Sequence, residues 1–179
     1  KRLSGERGVD DPRKTGKERG RAREPEKMCP RMAWRAIKSA LPKDAIISSD
    51  IGKKCAIGNA YPTFEEGRKY LAPGLFGPCG YGLPSIMGAK IGRRDVPVVG
   101  FAGDGAFGIS MNEMSAIGRE EWPAITRVIF RNYQGGAAQR KTPLWFEYKC
   151  VGPELGQQRA SAVVGRGCGV EGGAGSAVG

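Results

Sequence analysis

Two apolar segments separated by a helical pattern constrain the fold of this chain more than any other feature. The segments are residues 97–102 (Pro-Val-Val-Gly-Phe-Ala) and 125–130 (Ile-Thr-Arg-Val-Ile-Phe). The positions between them that recur at the spacing of one helix face are Phe107, Met111, Met114 and Ile117. Apolar segments linked in this way are typical of parallel strands joined by a crossover helix. The sequence therefore predicts an α/β fold with a doubly wound, mostly parallel sheet.

Each apolar segment is followed by a side chain that carries an oxygen, Asp104 after the first and Asn132 after the second. Ligands of open parallel sheets bind beyond the carboxyl ends of the strands, where both side chains would lie. Carboxylate and amide oxygens suit Mg²⁺ or Ca²⁺ and are poor ligands for zinc. A Mg²⁺ ion held by few protein groups completes its shell with water and phosphate oxygens, so the pair indicates a phosphorylated ligand. An ordinary strand-to-helix turn with Asp104 as helix cap is the alternative.

Shorter patterns elsewhere fit the same α/β layout. The predicted elements are a helix that begins at Pro30, a strand over residues 45–49, a short strand over 69–72 and a helix with Leu83, Ile86, Met87 and Ile91 on one face. Lys53 and Lys54 follow the strand over 45–49 where a new helix can begin, and such positions attract phosphate.

A glycine-rich stretch precedes the helix that contains Leu83. Four glycines fall within residues 74–82, and glycine lets a backbone approach a ligand closely or adopt positive φ. The spacing differs from the GxGxxG fingerprint of dinucleotide-binding proteins. Ligand binding and an ordinary turn are both compatible with this stretch.

Composition excludes several classes of function. The chain has no histidine, which removes Ser-His and Cys-His nucleophile pairs and HExxH zinc sites. Its five cysteines are scattered and predict reduced thiols in a cytoplasmic protein. No apolar run is long enough for a membrane span, and no secretory leader is expected.

The net charge of +11 is distributed unevenly. Residues 1–27 hold ten Lys or Arg against six Asp or Glu, and we expect this segment to be a basic disordered arm or linker. No basic stripe interleaved with aromatic residues follows, so nucleic acid is not an expected partner. The expected organisation continues with a cofactor-binding domain over residues 28–155 and a Gly-rich, divergent or disordered tail over 156–179.

Taken together, the motifs resemble the C-terminal cofactor domain of thiamine diphosphate-dependent enzymes of the acetohydroxyacid synthase and pyruvate oxidase type. That family carries GDG and, at the end of the next strand, Asn-Asn. Gly103-Asp104-Gly105 and Asn132 match this signature, with Arg131 in place of the first Asn. Asp50-Ile51-Gly52 resembles the end of the family's first strand, and residues 77–84 resemble its GxMGxGLP loop.

The resemblance implies roles for particular residues. The implied ligands of Mg²⁺ are Asp104, Asn132 and the carbonyl of Gln134. The residues implied to contact the thiamine diphosphate are Gly103, Gly105 and Ala106 under the diphosphate, Ile51, Gly52, Lys53 and Lys54 beside it, and Gly77, Cys79 and Tyr81 on the aminopyrimidine side.

The resemblance further implies a homo-oligomeric acyltransferase that acts on a small molecule, cleaves a carbon–sulfur bond and forms acetyl phosphate. An acetolactate synthase-like carboligase is the alternative within the family, and a non-catalytic basic binding module is the alternative outside it. The family's catalytic glutamate belongs to an N-terminal domain of a neighbouring subunit. We therefore expect a fragment that is inactive alone and incomplete at its C-terminal side, with Gly135 and Ala138 in place of the family's Trp and Glu.

Overall fold

The computed structural model describes residues 30–52, 69–132 and 161–173. The helices are α1 (Pro30–Ala40), α2 (Gly82–Gly92), α3 (Asp104–Ser110), α4 (Met114–Ile117) and α5 (Ser161–Gly167), with a 3₁₀ turn at Met111–Glu113. The strands are β1 (Ile46–Ser49), β2 (Tyr70–Leu71), β3 (Val98–Gly103) and β4 (Thr126–Phe130). No helix in these ranges is long and apolar enough to cross a membrane.

The described strands form one parallel sheet in the order β2-β1-β3-β4. Ile46 pairs with Val98 between β1 and β3, and Phe101 pairs with Val128 between β3 and β4. The chain passes from β1 outward to β2 and then returns to β3 on the other side of β1, so the strand order reverses between β1 and β3. This arrangement confirms the predicted α/β fold, and such a reversal is where ligands bind in open sheets.

Apolar side chains of β3 pack on both faces of the sheet because successive residues of a strand point to opposite sides. Phe101 packs against Trp34 of α1, with 4.4 Å between the ring centroids. The buried residues of this first face are Trp34, Ile47, Val99 and Phe101. The buried residues of the second face are Leu83, Ile86, Val98, Phe107 and Met114. Helices therefore cover both faces, as a doubly wound sheet requires.

The helix predicted between the two apolar segments is divided into α3, the 3₁₀ turn and α4. Phe107 and Met114 are buried as predicted, but Met111 is 46% exposed, so the prediction of one continuous apolar face is wrong at that position. A 3₁₀ turn has a different period from an α-helix, so one helix face does not continue unchanged through Met111–Glu113.

Helix α5 lies within residues 156–179, for which the sequence shows no helical periodicity. Val164 and Cys168 pack beside the core that contains Met114, and Gly165 is buried. Two glycines in a seven-residue helix give it little intrinsic stability, so packing supports it. The domain boundaries at residues 27/28 and 155/156 remain a prediction, and the arm over 1–27 lies outside the described ranges.

Candidate functional site

The carboxyl ends of β1, β3 and β4 meet at one edge of the sheet because the three strands are parallel and adjacent. Asp50 follows β1, Asp104 follows β3, and Asn132 lies two residues beyond β4. The register of the strands therefore brings together the two residues that the sequence predicts as metal ligands.

Asp104 joins the ends of β3 and β4. Its Oδ2 accepts a hydrogen bond from the backbone amide of Asn132 at 3.1 Å, and its Oδ1 accepts one from the amide of Gly105 at 3.0 Å. The side chain is 5% exposed, whereas Asn132 is exposed. A buried carboxylate at the sheet edge is a hard oxygen ligand. Its chemistry fits Mg²⁺.

The start of α3 lies directly beside this carboxylate. Gly103 has an extended backbone, with φ of −85° and ψ of 169°, and it precedes the first helical residue. Gly105 is partly buried and Ala106 is buried. The predicted diphosphate contacts Gly103, Gly105 and Ala106 thus form one continuous turn around Asp104.

The glycine-rich loop lies over the end of β1. A Cβ added to Gly77 would approach Cδ1 of Ile51 to 2.5 Å, so two residues predicted to contact the same cofactor are neighbours. Gly80 adopts φ of +91°, which only glycine adopts readily. Tyr81 is partly buried and precedes α2, and Gly52 is partly buried after β1.

Asp50 holds this loop against the sheet, a role that the sequence motifs did not indicate. Its Oδ1 accepts hydrogen bonds from the amides of Ile51 at 2.8 Å and Gly80 at 3.0 Å. Its Oδ2 accepts one from Gly82 at 2.7 Å. In the sequence, the available indication of this role was that Asp50 directly follows a strand, as Asp104 does.

Cys79 lies in the same loop with an exposed side chain. Partial burial raises the pKa of its thiol, and the negative charge of Asp50 raises this pKa further, against a backbone hydrogen bond from Gly80. The thiol is therefore a weak nucleophile at neutral pH.

Arg127 of β4 places a guanidinium under α3, which sequence reasoning also missed. Its Nη2 donates to Oγ of Ser110 at 3.0 Å, and its Cζ lies 5.0 Å from the ring centroid of Phe107. Its Nη1 is buried and has no hydrogen-bond partner within residues 30–52, 69–132 and 161–173. Burial lowers the pKa of Arg127 to about 10, and the charge of Asp50 opposes this shift. An arginine inside an otherwise apolar strand segment was the only signal in the sequence.

Three of the predicted site residues, Lys53, Lys54 and Gln134, lie outside the described ranges. Their predicted contacts with phosphate and metal remain predictions.

Comparison with known proteins identifies the family of the chain. The sequence matches the family model "Thiamine pyrophosphate enzyme, C-terminal TPP binding domain" over residues 50–178. It is 66% identical over 163 residues to a sulfoacetaldehyde acetyltransferase of Roseovarius nubinhibens, covering 91% of this chain and 27% of the relative. It is 30% identical over 110 residues to an acetolactate synthase of Nicotiana tabacum, covering 62% of this chain and 16% of the relative.

The fold is shared with a solved structure, a thiamine diphosphate-dependent 4-hydroxybenzoylformate decarboxylase of Rhodococcus jostii. The TM-score is 0.75 at 19% identity, over 84% of this chain and 28% of that one. The chain spans 27% of the length of the Roseovarius relative. Its sequence nevertheless matches the family over most of its own length, and the chain belongs to the C-terminal cofactor-binding domain family of thiamine pyrophosphate enzymes.

Proposed function

We propose that this chain is the cofactor-anchoring part of an acetyltransferase that depends on thiamine diphosphate and Mg²⁺. The proposed reaction converts sulfoacetaldehyde and phosphate to acetyl phosphate and sulfite. The name of the 66% identical relative supports this reaction over the carboligation in the name of the 30% identical one. The complete enzyme is proposed to be a cytoplasmic homo-oligomer.

The contact between Asp104 and Asn132 is the observation that carries the proposal. It places a buried carboxylate at 3.1 Å from the backbone of the second proposed ligand. Mg²⁺ would be held by these two side chains and by the Gln134 carbonyl. With so few protein ligands, the ion would take its other oxygens from water and from the diphosphate.

The other proposed contacts surround this ion. Gly103, Gly105 and Ala106 would receive the diphosphate, with Ile51, Gly52, Lys53 and Lys54 beside it. Gly77, Cys79 and Tyr81 would border the aminopyrimidine. When bound, thiamine diphosphate supplies a carbon nucleophile and an electron sink, whereas the residues of this chain bind and orient it.

No residue of this chain is proposed to transfer a proton during the reaction. Histidine is absent from the sequence, and the proposed proton donor and acceptor is a glutamate on another domain of the complete enzyme. The 179-residue chain should therefore bind the cofactor without turning over substrate. Sulfite released from sulfoacetaldehyde by the pure chain would contradict this part of the proposal.

Calorimetric titration of the full chain with thiamine diphosphate, with and without Mg²⁺, tests the site. The wild type should bind only when both are present. Asp104→Asn keeps the size of the side chain but removes its charge, so the protein should fold and lose Mg²⁺-dependent binding; Asp104→Ala should lose it as well.

Asp44→Ala is the matched control because Asp44 is an exposed carboxylate that precedes β1. It should bind as the wild type does. Unchanged affinity in Asp104→Asn, together with a folded circular dichroism spectrum, would contradict the assignment of the site.

A further inference from the structure

We propose that Asp50 is a positioning residue that holds the loop over residues 77–82 in the shape required by the cofactor. This inference rests on the proposed function, but it assigns a role to a residue outside the metal site. The geometry points to it because one buried side chain connects the end of β1, the loop and the first turn of α2.

The hydrogen bonds of Asp50 cross a large separation in sequence. Gly80 and Gly82 lie 30 and 32 residues from Asp50, and both donate backbone amides to it. Ile51 supplies the third amide. The side chain is 1% exposed, so water does not compete for these bonds. The loop is therefore tied to the sheet and not only to its own neighbours.

A carboxylate suits this arrangement better than any neutral side chain. It has two oxygens that only accept, whereas an amide has one accepting oxygen and a donating NH₂ group. In Asp50→Asn, one end of the side chain would present a donor to an N–H donor. Hydrogen bonds to an ionised acceptor are also about twice as strong as neutral ones.

The contact at Gly80 determines the direction of a peptide group in the loop. The structure has no cis peptide bond among its described residues, and in a planar trans peptide the N–H and C=O groups point in opposite directions. Since the Gly80 amide points at Asp50, the carbonyl of Cys79 points away from it. Asp50 thereby presents this carbonyl on the outer side of the loop.

Capping of a helix does not by itself explain the arrangement. The side chain of Tyr81 forms no capping hydrogen bond to α2, and Asp50 instead accepts the hydrogen bond from the amide of Gly82. A cap would need only this one bond, whereas the bonds from Gly80 and Ile51 lie outside the helix. Asp50 also lies close to the backbone of α2, since a Cβ on Gly82 would lie 2.9 Å from its Oδ2.

The test compares Asp50→Asn with Ile47→Val in the full chain. Ile47 is buried in β1 on the face that packs against Trp34, so Ile47→Val lowers stability without changing the loop contacts. Amide hydrogen exchange of Gly80 and Gly82 is measured by NMR, and affinity for thiamine diphosphate with Mg²⁺ is measured by calorimetry.

In Asp50→Asn, exchange of the Gly80 and Gly82 amides should accelerate at least about tenfold relative to amides of β3, because a hydrogen bond to a charged group is lost. Cofactor affinity should fall by about tenfold or more. Ile47→Val should leave both quantities unchanged. Retained protection at Gly80 and Gly82, or lost protection with unchanged affinity, would overturn the proposal.

A second variant keeps the test valid if Asp50→Asn does not fold. Gly80→Ala disturbs the same contact from the loop, because Gly80 has φ of +91°, and it leaves the carboxylate intact. It should weaken cofactor binding about tenfold in a folded protein; unchanged affinity would overturn the role. If the Gly80 and Gly82 amides of the wild type are protected from exchange but the protein binds no cofactor, the proposed function is wrong. The contact of Asp50 with the loop is then still supported.

Discussion

The backbone amide of Asn132 donates to Oδ2 of Asp104 at 3.1 Å, across 28 residues of sequence and two neighbouring strands. This bond extends the pairing of β3 with β4, which reaches Gly103 and Phe130. A cation at the sheet edge would be held by residues whose relative position is already determined by the protein. The cost of ordering its ligands is thereby reduced before binding.

The close approach of α2 to Asp50 predicts opposite effects of two glycine substitutions in one helix. Gly82→Ala should destabilise the protein by about 1–3 kcal/mol, because its Cβ would lie 2.9 Å from Oδ2 of Asp50. At Gly88, a Cβ would meet no atom of the described residues within 4 Å, so Gly88→Ala should stabilise the helix by about 0.5–1 kcal/mol. Urea unfolding of both variants measures the difference. Equal effects would show that α2 does not approach the carboxylate as described.

The raised pKa of Cys79 predicts slow alkylation. At pH 8, iodoacetamide should modify Cys79 in the folded chain more slowly than in the chain unfolded in urea, because less thiolate is present. Peptide mass spectrometry resolves this cysteine from the other four. In Asp50→Asn, removal of the neighbouring charge should move the alkylation profile to lower pH. A profile that stays in place would show that Asp50 has no electrostatic effect on the thiol.

The buried guanidinium of Arg127 predicts tolerance of an apolar replacement. Arg127→Met removes Nη1, which has no hydrogen-bond partner in the described part of the chain, and the cost of burying a charge, but it loses the bond to Ser110. The free energy of unfolding should stay within about 1 kcal/mol of the wild type. Arg127→Ala should cost about 1–2 kcal/mol more, because it also removes the packing of the side-chain stem. A loss of several kcal/mol in Arg127→Met would identify the charge itself as stabilising.

The ion pair between Arg93 and Asp95 predicts a small dependence of stability on acid pH. Two hydrogen bonds join the side chains, at 2.9 and 2.8 Å. The bond from Arg93 is the main cause that lowers the pKa of Asp95 from 3.8 to about 2. This contribution to stability is present above pH 3.8 and is lost as the pH falls through 2.

In Asp95→Asn, the free energy of unfolding should therefore depend less on pH between about pH 2 and 4. Urea unfolding at several pH values measures this dependence. Both side chains are exposed, so the effect should weaken with added salt. In an Arg93→Gln background, Asp95→Asn should change the slope less, because Arg93 is the main but not the sole cause of the lowered pKa. A slope difference of undiminished size there would assign the lowered pKa to groups other than Arg93.

Local patterns in the sequence were sufficient to predict the strands that form the sheet. The segments 97–102 and 125–130 are mostly apolar, and they form β3 and β4. The proximity of the small oxygen-bearing residues after these strands could then be predicted, since a parallel sheet brings neighbouring strand ends together. Asp104 and Asn132 could be paired on this argument alone.

Only the tertiary structure decided which groups meet across distant parts of the chain. Asp50 precedes its partners Gly80 and Gly82 by 30 and 32 residues, and nothing in the intervening sequence has a period that links them. The contact of Arg127 with Phe107, the exposure of Met111 and the 3₁₀ turn after α3 were likewise visible only in three dimensions. Periodicity reports the face of a regular helix, whereas hydrogen bonds between loops and strand ends depend on packing in three dimensions.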